Sequence, residues 1–582
     1  MGPDSTAWNF YVLLNRYPTL FALSDVRFDF VPVLAESFPS EFVKEGDLWT
    51  STVKMKKGVK WSDGKEITAN DVAFTVNTVV ELQLPGNWTT NLDWSILVKA
   101  EAKDDYTVKY FWKEKPGLAR WQYGALQAIA VSKSFWQPKL DAAKKAGEGK
   151  TGDEKLKAIR DSLYAVTADG EPTAGEFTYV KWEKGAFIET KKNANYYFSG
   201  STVKEYKNGA YQEEKPGVYK FEAYGTPTGD IQLQVNRGPF VDGIIYSAYG
   251  TQDAAVLALR KGEVSYILNP LGLSTGLRKQ VEGQAGLATV QNPQNGIRYL
   301  GFNCRRAPQD NKAFRQAIAY LTDKEFLMQT VLQGVAFPIY SMVPQGNGFW
   351  HNPNVPMLGK DMTREKRINK VVEILKAAGF SWEVEPKWDA ANRMVNPQGK
   401  GLKMPNGQPV PTIELLAPSA GYDPLRSTTA IWIERWAQEA GIPIKANLTG
   451  FNVIVSRVFD QQDFDMWILG WGLTIFPSYV ADFFHSSRAV LEDNNAGGYN
   501  SPEFDLLANQ LTSTPDLNEA QKLAFRIQEV LADETPYVVL FSTPIYEAYS
   551  TKVQWPYTQI LDGIQNYFQG MSGPQSAVKV AE

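Results

Sequence analysis

The sequence predicts an α/β protein in which helices cover the faces of sheets. Short apolar strands alternate with amphipathic helices, and no internal repeat or long low-complexity tract interrupts the alternation. The 582 residues correspond to about three or four domains at roughly 150 residues each. Hydrophobic residues make up 43% and charged residues 21%, as in ordinary globular chains, so each element can bury an apolar face in layered packing.

The first strand-to-helix unit lies around residue 60. Residues 49–55 alternate in polarity, which predicts a strand, and the segment 57–64 that follows predicts a turn. Thr68 and Asp71 form a capping-box pattern ahead of valines at helical spacing, which are Val72, Val76, Val79 and Val80. We therefore expect a helix that begins directly after Thr68.

Similar units follow along the chain. Residues 243–249 predict a strand, and residues 253–261 predict a helix that ends at Gly262. Further helices are expected at 312–321, 366–378, 428–440 and 518–533, and short apolar strands at 413–417, 442–446 and 465–469.

Three segments are expected at the surface. Residues 139–163, rich in Lys, Ala, Gly and Glu, predict a solvated helix pair or a loop. Asn208-Gly209 lies between alternating residues of 203–224, which is a strong hairpin signal. Residues 397–411 carry Gly and Pro and predict a long loop.

Composition excludes several classes of protein. The net charge is −4, from 60 Lys+Arg against 64 Asp+Glu, and a dedicated nucleic-acid binder would show a basic domain or stripe. A single cysteine, Cys304, excludes an intrachain disulfide framework. Only two histidines, His351 and His485, are available for metal or haem ligation, so we expect neither a metal site nor a cofactor.

No segment is apolar over the length of a membrane span. The most apolar stretches, such as residues 537–541, are four or five residues long, against roughly 20 for a spanning helix. The first residues also lack the basic and apolar regions of a signal peptide. These observations leave two alternatives, a cytoplasmic protein or an exported one whose signal is missing from this sequence.

The residues that flank the nucleotide-binding and catalytic motifs do not support those functions. Gly147, Gly149 and Gly152 match a dinucleotide-binding pattern, but charged, Ala-rich residues precede them instead of the buried strand that the mechanism requires. Cys304 beside two arginines could be an activated thiolate, yet a small residue at a strand end is the favoured interpretation. His485 is interpreted as a hydrogen-bonded histidine at a helix end. We therefore predict no catalytic residue.

The aromatic content is the unusual feature of the composition. The chain has 17 Trp and 27 Tyr, and both side chains combine a flat apolar face with a polar tip. Such residues suit a broad ligand site in which rings stack on the ligand, although core packing could also use them.

Several sequence blocks, in one order along the chain, resemble the family 5 extracellular solute-binding proteins, the receptors of oligopeptide- and dipeptide-type ABC importers. The first block is Gly58-Val59-Lys60-Trp61-Ser62-Asp63-Gly64 with its continuation to residue 72. The later blocks cover residues 175–177, 182–185, 193–196, 241–244, 257–264, 314–320, 323–325, 499–505 and 536–539. The resemblance extends over nearly the whole chain.

The resemblance implies a periplasmic-binding-protein type II-like fold of two hinged lobes with an additional domain. Domain I would comprise residues 1–29, 177–268 and 536–582, domain II residues 30–176, and domain III residues 269–535. A ligand would be held in a cleft between the lobes without catalysis and passed to the permease subunits of an importer. Family members are exported to the periplasm or the cell surface, and we expect a monomer.

The beginning of the sequence departs from the family pattern. Ser5-Thr6-Ala7-Trp8-Asn9 stands where the family would already have passed its first strand. We therefore expect that an export signal and that strand are absent from this sequence.

A second departure concerns the ligand. In peptide-binding members an Asp shortly after a Gly-Trp pair holds the amino group of the peptide, whereas here Gly470-Trp471 leads to Thr474, and Asp482 is the first acid. An ammonium enclosed without a charge partner is costly, and a hydroxyl is a weak substitute. The sequence therefore favours a neutral oligosaccharide stacked on aromatic rings. A short peptide is the alternative, and a glycan or peptide hydrolase is the rival from another class.

The candidate ligand-binding residues follow from this resemblance. Trp471 would be the stacking platform, Gly472 would allow the ligand to approach the backbone, and Thr474 and Phe476 would line the wall. Trp8 and Asn9 are the candidates from the opposite lobe.

Overall fold

Strands and helices alternate along the chain, as the sequence predicts. The computed structural model describes residues 12, 14–84, 89, 91–268, 273, 275–292, 296–556, 563–565 and 573–581. The chain separates into two compact units. Unit 1 comprises Met1–Pro293 with Ile545–Glu582, and unit 2 comprises Gln294–Pro544. The three domains expected from the resemblance have finer boundaries, which stay predictions.

The first sheet of unit 1 is antiparallel and carries the predicted capped helix. Its strands, in order across the sheet, are Val43–Glu45, Leu48–Lys54, Thr107–Trp112 and Leu97–Asp104. Helix Ala69–Leu82 packs on this sheet and buries Val72, Val76 and Val79, whereas Val80 is half-buried. Asp71 Oδ2 accepts a hydrogen bond from the Thr68 N–H at 2.9 Å, and Thr68 Oγ1 accepts one from the Asn70 N–H at 3.3 Å. The predicted capping box is confirmed.

The predicted helix pair is present and is only partly solvated. Helices Lys133–Lys144 and Gly152–Tyr164 each bury a short apolar stripe, formed by Trp136, Leu140, Ala143, Ile159 and Leu163. The glycines at 147, 149 and 152 lie where one helix gives way to the next. A helix therefore precedes these glycines, whereas a dinucleotide-binding loop follows a buried strand. The structure thus gives no support for nucleotide binding at this segment.

The remainder of unit 1 consists of small sheets and short helices. Asn208-Gly209 forms the turn of the expected hairpin, with Gly209 at φ +104°. Gly262 ends the helix Gln252–Lys261 in the left-handed region, at φ +76°. A four-stranded sheet contains, in order, Tyr219–Ala223, Tyr211–Lys215, Thr202–Tyr206 and Ile231–Asn236, and a three-stranded sheet contains Ile245–Ser247, Phe187–Lys192 and Phe177–Glu183. Two-stranded sheets pair Leu287–Asn292 with Ile545–Ser550, Phe21–Leu23 with Phe30–Pro32, and Val553–Gln554 with Lys579–Val580. Helix Thr275–Val281 completes the α-helices of this unit among the residues described.

Unit 2 is built on a mixed six-stranded sheet. Its order is Phe337–Pro338, Tyr537–Ser542, Gly296–Phe302, Met466–Gly472, Ile413–Pro418 and Ile444–Thr449. The strand Ile413–Pro418 is parallel to both of its neighbours, and the other pairs are antiparallel. A separate two-stranded pair joins Trp388–Asp389 to Met394–Val395. The three short strands expected from the sequence are therefore present in this unit with shifted ends, although only Ile444 of the strand Ile444–Thr449 is buried.

Helices cover this sheet and set the boundaries of its core. The helices are Lys312–Leu321, Lys324–Phe326, Arg364–Ala377, Pro424–Glu439, Phe451–Val455, Tyr479–Phe484, Pro502–Ser513 and Leu517–Glu534. On one face of the sheet, Leu300, Phe302 and Ile468 pack in a common core with residues of the first, third and fourth of these helices. Helix Pro424–Glu439 begins four residues before its predicted start because Asp423 caps it and Pro424 occupies its first turn.

The opposite face of the sheet is aromatic. Tyr299 and Tyr537 stack with ring centroids 4.1 Å apart, and Trp467 meets both rings edge-on. The Trp467 ring lies across Gly301, its partner in the neighbouring strand. Five tryptophans are less than 2% exposed, namely Trp61, Trp112, Trp136, Trp350 and Trp467. Core packing therefore uses a substantial part of the aromatic surplus.

Unit 1 contains two buried ion pairs. Arg16 Nη1 lies 3.3 Å from Glu176 Oε1, and both side chains are 0% exposed. Arg237 Nη1 lies 2.7 Å from Glu213 Oε1, with exposures of 4% and 3%. Burial raises the pKa of Glu176 to about 7, although the Arg16 charge opposes that rise. The charge of the buried Lys56 also acts on Glu213, in addition to that of Arg237.

No helix in the described part of the chain combines the length and the apolar character that crossing a membrane requires.

We predict that Gly301→Ala destabilises unit 2. A Cβ at position 301 would overlap the six-membered ring of Trp467 in the middle of a buried sheet, so the cost should be about 2 kcal/mol or more. Chemical unfolding followed by circular dichroism measures it. Gly421→Ala is the matched control, since a Cβ there meets nothing within 4 Å. Equal stability of the two variants would contradict this account of the packing.

A second prediction concerns Lys324, whose Nζ donates a hydrogen bond to the Ile339 carbonyl at 3.0 Å. Burial lowers the pKa of Lys324 to about 7, with the neighbouring charges of Glu325 and Arg367 acting in opposite directions. Above pH 7 the unfolded chain therefore keeps a proton that the folded chain has released. The unfolding free energy of the native protein, relative to Lys324→Met, should rise with pH by up to about 1.4 kcal/mol per unit.

The measurement is chemical unfolding at several pH values between 6 and 9.5. Lys445→Met, at an exposed position of the same unit, should show no such trend relative to the native protein. If the difference in unfolding free energy between the native protein and Lys324→Met did not change with pH, the lowered pKa of Lys324 would be contradicted.

Candidate functional site

The candidate site lies in unit 2, where three parallel strands end. Strands Ile413–Pro418, Ile444–Thr449 and Met466–Gly472 have their carboxyl ends at one edge of the sheet, where Gly296 pairs with Gly472. In open α/β sheets, ligands bind at the carboxyl ends of the strands. We call this region the strand-end site, and its side chains are those of Arg298, Tyr422, Asp423, Arg426, Phe451 and Trp471.

Trp471 is half-buried at this edge and is held by other rings. It stacks on Phe483 at 4.6 Å between ring centroids and 14° between planes, and Phe459 meets it edge-on at 6.0 Å. Tyr299 lies parallel to it at 6.3 Å. The orientation of the indole is therefore fixed before any ligand arrives, but one of its faces is covered by Phe483.

The phenols behind Trp471 contribute no charge. Tyr299 accepts a hydrogen bond from Trp467 Nε1 at 3.3 Å. Burial raises the pKa of Tyr299 and of Tyr537 well above the usual value for tyrosine. Both hydroxyls therefore stay protonated at physiological pH, and this side of the strand is neutral and aromatic.

Gly472 and Thr474 are exposed, as a role in binding requires. A Cβ at Gly472 would meet no atom within 4 Å, so the backbone there is open to approach. The Thr474 hydroxyl donates to the Phe476 carbonyl at 2.9 Å, and the buried Asn347 amide donates to the Thr474 and Ile475 carbonyls, each at 2.9 Å. Asn347 therefore holds this loop, and Thr474 has only oxygen lone pairs to offer a ligand.

The position of Phe476 differs from the one expected for a ligand-binding residue. Its side chain is 1% exposed, and its ring contacts Trp350 edge-on at 4.8 Å. The expectation that this ring lines a ligand wall is not supported, because core packing already encloses it. Trp8 and Asn9, the candidates from the other lobe, lie outside the described residues.

Two described carboxylates, those of Asp482 and Asp423, are the candidates to replace the missing amine anchor. Asp482 is the first acid after the Gly-Trp pair, and its side chain is 47% exposed and lies 3.4 Å from Arg488 Nη2. Asp423 Oδ2, at the strand-end site itself, accepts a hydrogen bond from Arg426 Nε at 2.6 Å. Each carboxylate is thus already paired with an arginine.

The strand-end site contains two buried cations that sequence reasoning missed. Arg298 is 7% exposed and Arg426 is 6% exposed. Burial lowers the pKa of Arg298 to about 10, and the Arg426 charge lowers it further while Asp423 opposes the shift. A charged residue inside the apolar run 296–302 was the signal for Arg298, since arginine is seldom buried without a reason. Asp423-Pro424 followed by Arg426 was the signal for a capped helix at the same edge.

Cys304 and His485 have structural surroundings, as expected. Burial raises the pKa of the Cys304 thiol, so a reactive thiolate is disfavoured. His485 follows the helix Tyr479–Phe484, and its Nδ1 accepts a hydrogen bond from the Ser487 N–H at 3.2 Å. Within the described ranges, no group of three or more His, Cys, Asp or Glu side chains is arranged to hold a metal ion.

Relatives of known name are similar over most of the chain. Oligopeptide-binding protein AppA of Bacillus subtilis (strain 168) is 24% identical over 490 residues, which cover 84% of this chain and 74% of that protein. The dipeptide-binding protein of Escherichia coli (strain K12) is 22% identical over 546 residues, which cover 90% of this chain and 83% of that protein.

Solved structures share the fold. AppA from Bacillus subtilis in complex with a nonapeptide superposes with a TM-score of 0.66 at 21% identity, covering 100% of this chain and 96% of that one. The periplasmic EDTA-binding protein EppA superposes with a TM-score of 0.69 at 18% identity, covering 99% and 92%. These similarities confirm the two-lobe α/β fold of the periplasmic binding proteins.

The family model described as bacterial extracellular solute-binding proteins, family 5 Middle, matches residues 29–489. That family consists of binding proteins rather than enzymes, which confirms the expectation of a non-catalytic receptor. Because the match covers well over half of its length, the chain belongs to family 5 of the bacterial extracellular solute-binding proteins.

Proposed function

We propose that this chain is the substrate-binding receptor of an ABC importer and that its solute is a short peptide. The receptor works outside the cytoplasm, in the periplasm or at the cell surface, as a monomer that delivers the peptide to the permease subunits. Relatives named for oligopeptides and dipeptides, and a similar structure in complex with a nonapeptide, support this assignment.

The observation that carries the proposal is an unpaired strand edge at the strand-end site. Strand Met466–Gly472 pairs with Gly296–Phe302 along its whole length, but its pairing with Ile413–Pro418 ends at Trp467. Ile468 and Leu469 are buried, so among the described residues the accessible part of this unpaired edge runs from Gly470 to Gly472. An extended peptide can add to such an edge through its own backbone groups.

Each part of this edge suits a peptide chain. Gly472 is exposed and leaves room for a second backbone, and Trp471 offers a fixed aromatic surface beside it. Main-chain hydrogen bonds give affinity that does not depend on peptide sequence, and neighbouring pockets add selectivity. An oligosaccharide has no regular series of N–H and C=O groups with which to continue a sheet.

The preference for an oligosaccharide expected from the sequence is not supported. It rested on stacking of sugar rings on the aromatic surplus, yet five tryptophans are in the core and Phe483 covers one face of Trp471. The relatives and structures named above are described as binding peptides or EDTA.

A thermal-shift screen of the purified protein tests the proposal. The panel contains peptides of graded length from dipeptides upward, and α- and β-linked oligosaccharides as the competing class. At a ligand concentration a hundred times Kd, binding should add about 2.7 kcal/mol to the unfolding free energy. We expect peptides to raise the melting temperature and to be recovered intact, whereas a response to oligosaccharides alone would overturn the proposal.

Site variants and modified peptides test the strand-edge geometry. Trp471→Ala should weaken a confirmed peptide by roughly tenfold or more, whereas Trp182→Ala, at a tryptophan that is 70% exposed in unit 1, should not. Of two peptides N-methylated at alternate positions, one should lose affinity and the other keep it, because alternate amides face the partner strand. Full affinity in both methylated peptides would contradict pairing to this edge.

A further inference from the structure

The six-stranded sheet of unit 2 has two lateral edges. Phe337–Pro338 forms one edge and Ile444–Thr449 forms the other, whose strand partner in the described part of the chain is Ile413–Pro418. The outward backbone groups of an edge strand are a template for pairing with another chain. Native proteins therefore shorten, cover or charge such edges.

The edge at Phe337–Pro338 is closed by its length and by proline. This strand has two residues, which pair with Ser542 and Phe541. Pro338 has no backbone N–H, so it cannot donate a hydrogen bond to a further strand. An added chain would therefore find little to pair with at this edge.

The strand Ile444–Thr449 is long enough to accept a partner, since it has six residues. Directly before it, the Ile413 N–H donates to the Pro443 carbonyl at 2.9 Å. Because successive residues of a strand alternate in direction, the odd-numbered residues bond to the sheet, and the even-numbered ones direct their N–H and C=O groups outward. Leu448, an even-numbered residue, is 37% exposed, so this outer edge reaches the surface.

Two side chains of the helix Pro424–Glu439 cover the first half of this outer edge. Glu434 Oε2 accepts a hydrogen bond from the Ala446 N–H at 2.8 Å, and Gln438 Nε2 donates to the Ile444 carbonyl at 3.2 Å. Gln438 Nε2 also donates to Glu434 Oε1 at 3.1 Å, which joins the two side chains. We call Glu434 and Gln438 the edge cap, because they supply one acceptor and one donor as a neighbouring strand would.

A comparable contact closes an edge of the first sheet of unit 1. Leu97–Asp104 is the outer strand there, and the Asn77 side chain bonds both the N–H and the C=O of Ala100, each at 2.9 Å. Asn77 lies on the helix Ala69–Leu82, which packs against that strand. In each unit, a helix side chain thus takes the place of a neighbouring strand.

We infer that the edge cap prevents strand pairing between two copies of this chain. Two strands Ile444–Thr449 related by a two-fold axis would pair antiparallel, with each copy supplying the same edge. The exposed Lys445 of each copy adds a like charge that opposes the contact. The inference goes beyond the proposed function, since this edge lies two strands away from Met466–Gly472 and its cap acts whatever the ligand is.

Removal of the edge cap tests the inference. Sedimentation velocity over a range of protein concentrations compares the native protein with the double variant Glu434→Ala with Gln438→Ala. The native protein should remain monomeric, and the double variant should dimerise with a dissociation constant at least about tenfold below that of any self-association of the native protein. Circular dichroism checks that the variant is folded. A folded double variant that stays monomeric at every concentration would overturn the inference.

Two control variants separate the edge cap from a general effect of mutation. Arg435→Ala changes a side chain of the same helix that is 64% exposed, and it should remain monomeric. Glu434→Gln keeps an oxygen that can accept from the Ala446 N–H, and it should also remain monomeric. If either control dimerised as strongly as the double variant, loss of the edge cap would not be the cause and the inference would be wrong.

A proline at the outer edge locates the contact. The Leu448 N–H points outward, so Leu448→Pro removes a donor to a partner strand without removing a hydrogen bond to Ile413–Pro418. Added to the double variant, Leu448→Pro should restore the monomer. A dimer that persisted would lie at another surface and would refute the inference. If the double variant does not fold, each single variant is measured in the same way, and two folded monomers would refute it equally.

Discussion

The antiparallel pairing of Gly296–Phe302 with Met466–Gly472 determines the strand-end site. This register places Trp467 over Gly301 and Arg298 beside Gly470, and it leaves Trp471 at the edge. Side chains alternate between the faces of a sheet, so a slip of one residue would move every one of them to the opposite face. The aromatic core on one side and the arginine on the other are therefore consequences of the same pairing.

Buried cations in unit 1 lie around two carboxylates. Arg16 pairs with Glu176, and Arg237 pairs with Glu213. The charge of the buried Lys56 also acts on Glu213, so this carboxylate compensates two cations. Removing one partner of a buried ion pair leaves an uncompensated charge, so these pairs constrain the core of unit 1.

The aromatic residues show how little composition says about a ligand. A surplus of tryptophan is compatible with sugar stacking and with core packing, and in this protein Trp61, Trp112, Trp136, Trp350 and Trp467 belong to the core. Of the two candidate rings that the structure describes, Trp471 keeps a partly exposed position and Phe476 does not, and Phe483 stacks on Trp471. A rigid ring beside an open backbone edge suits an extended chain of amides, since the edge supplies hydrogen bonds that the ring cannot.

The sequence by itself determined the family, the α/β class and the local elements that rest on short-range chemistry. The capping box at Thr68, the hairpin at Asn208-Gly209 and the helix end at Gly262 are each decided by a few neighbouring residues, so pattern reasoning found them. It also placed Trp471 and Gly472 correctly at the end of a strand. Tertiary structure alone decided that Phe476 is buried and that Arg298 lies over Gly470. Those contacts join segments more than a hundred residues apart, and their geometry depends on strand register and on the packing of a helix against the sheet, which no local pattern encodes.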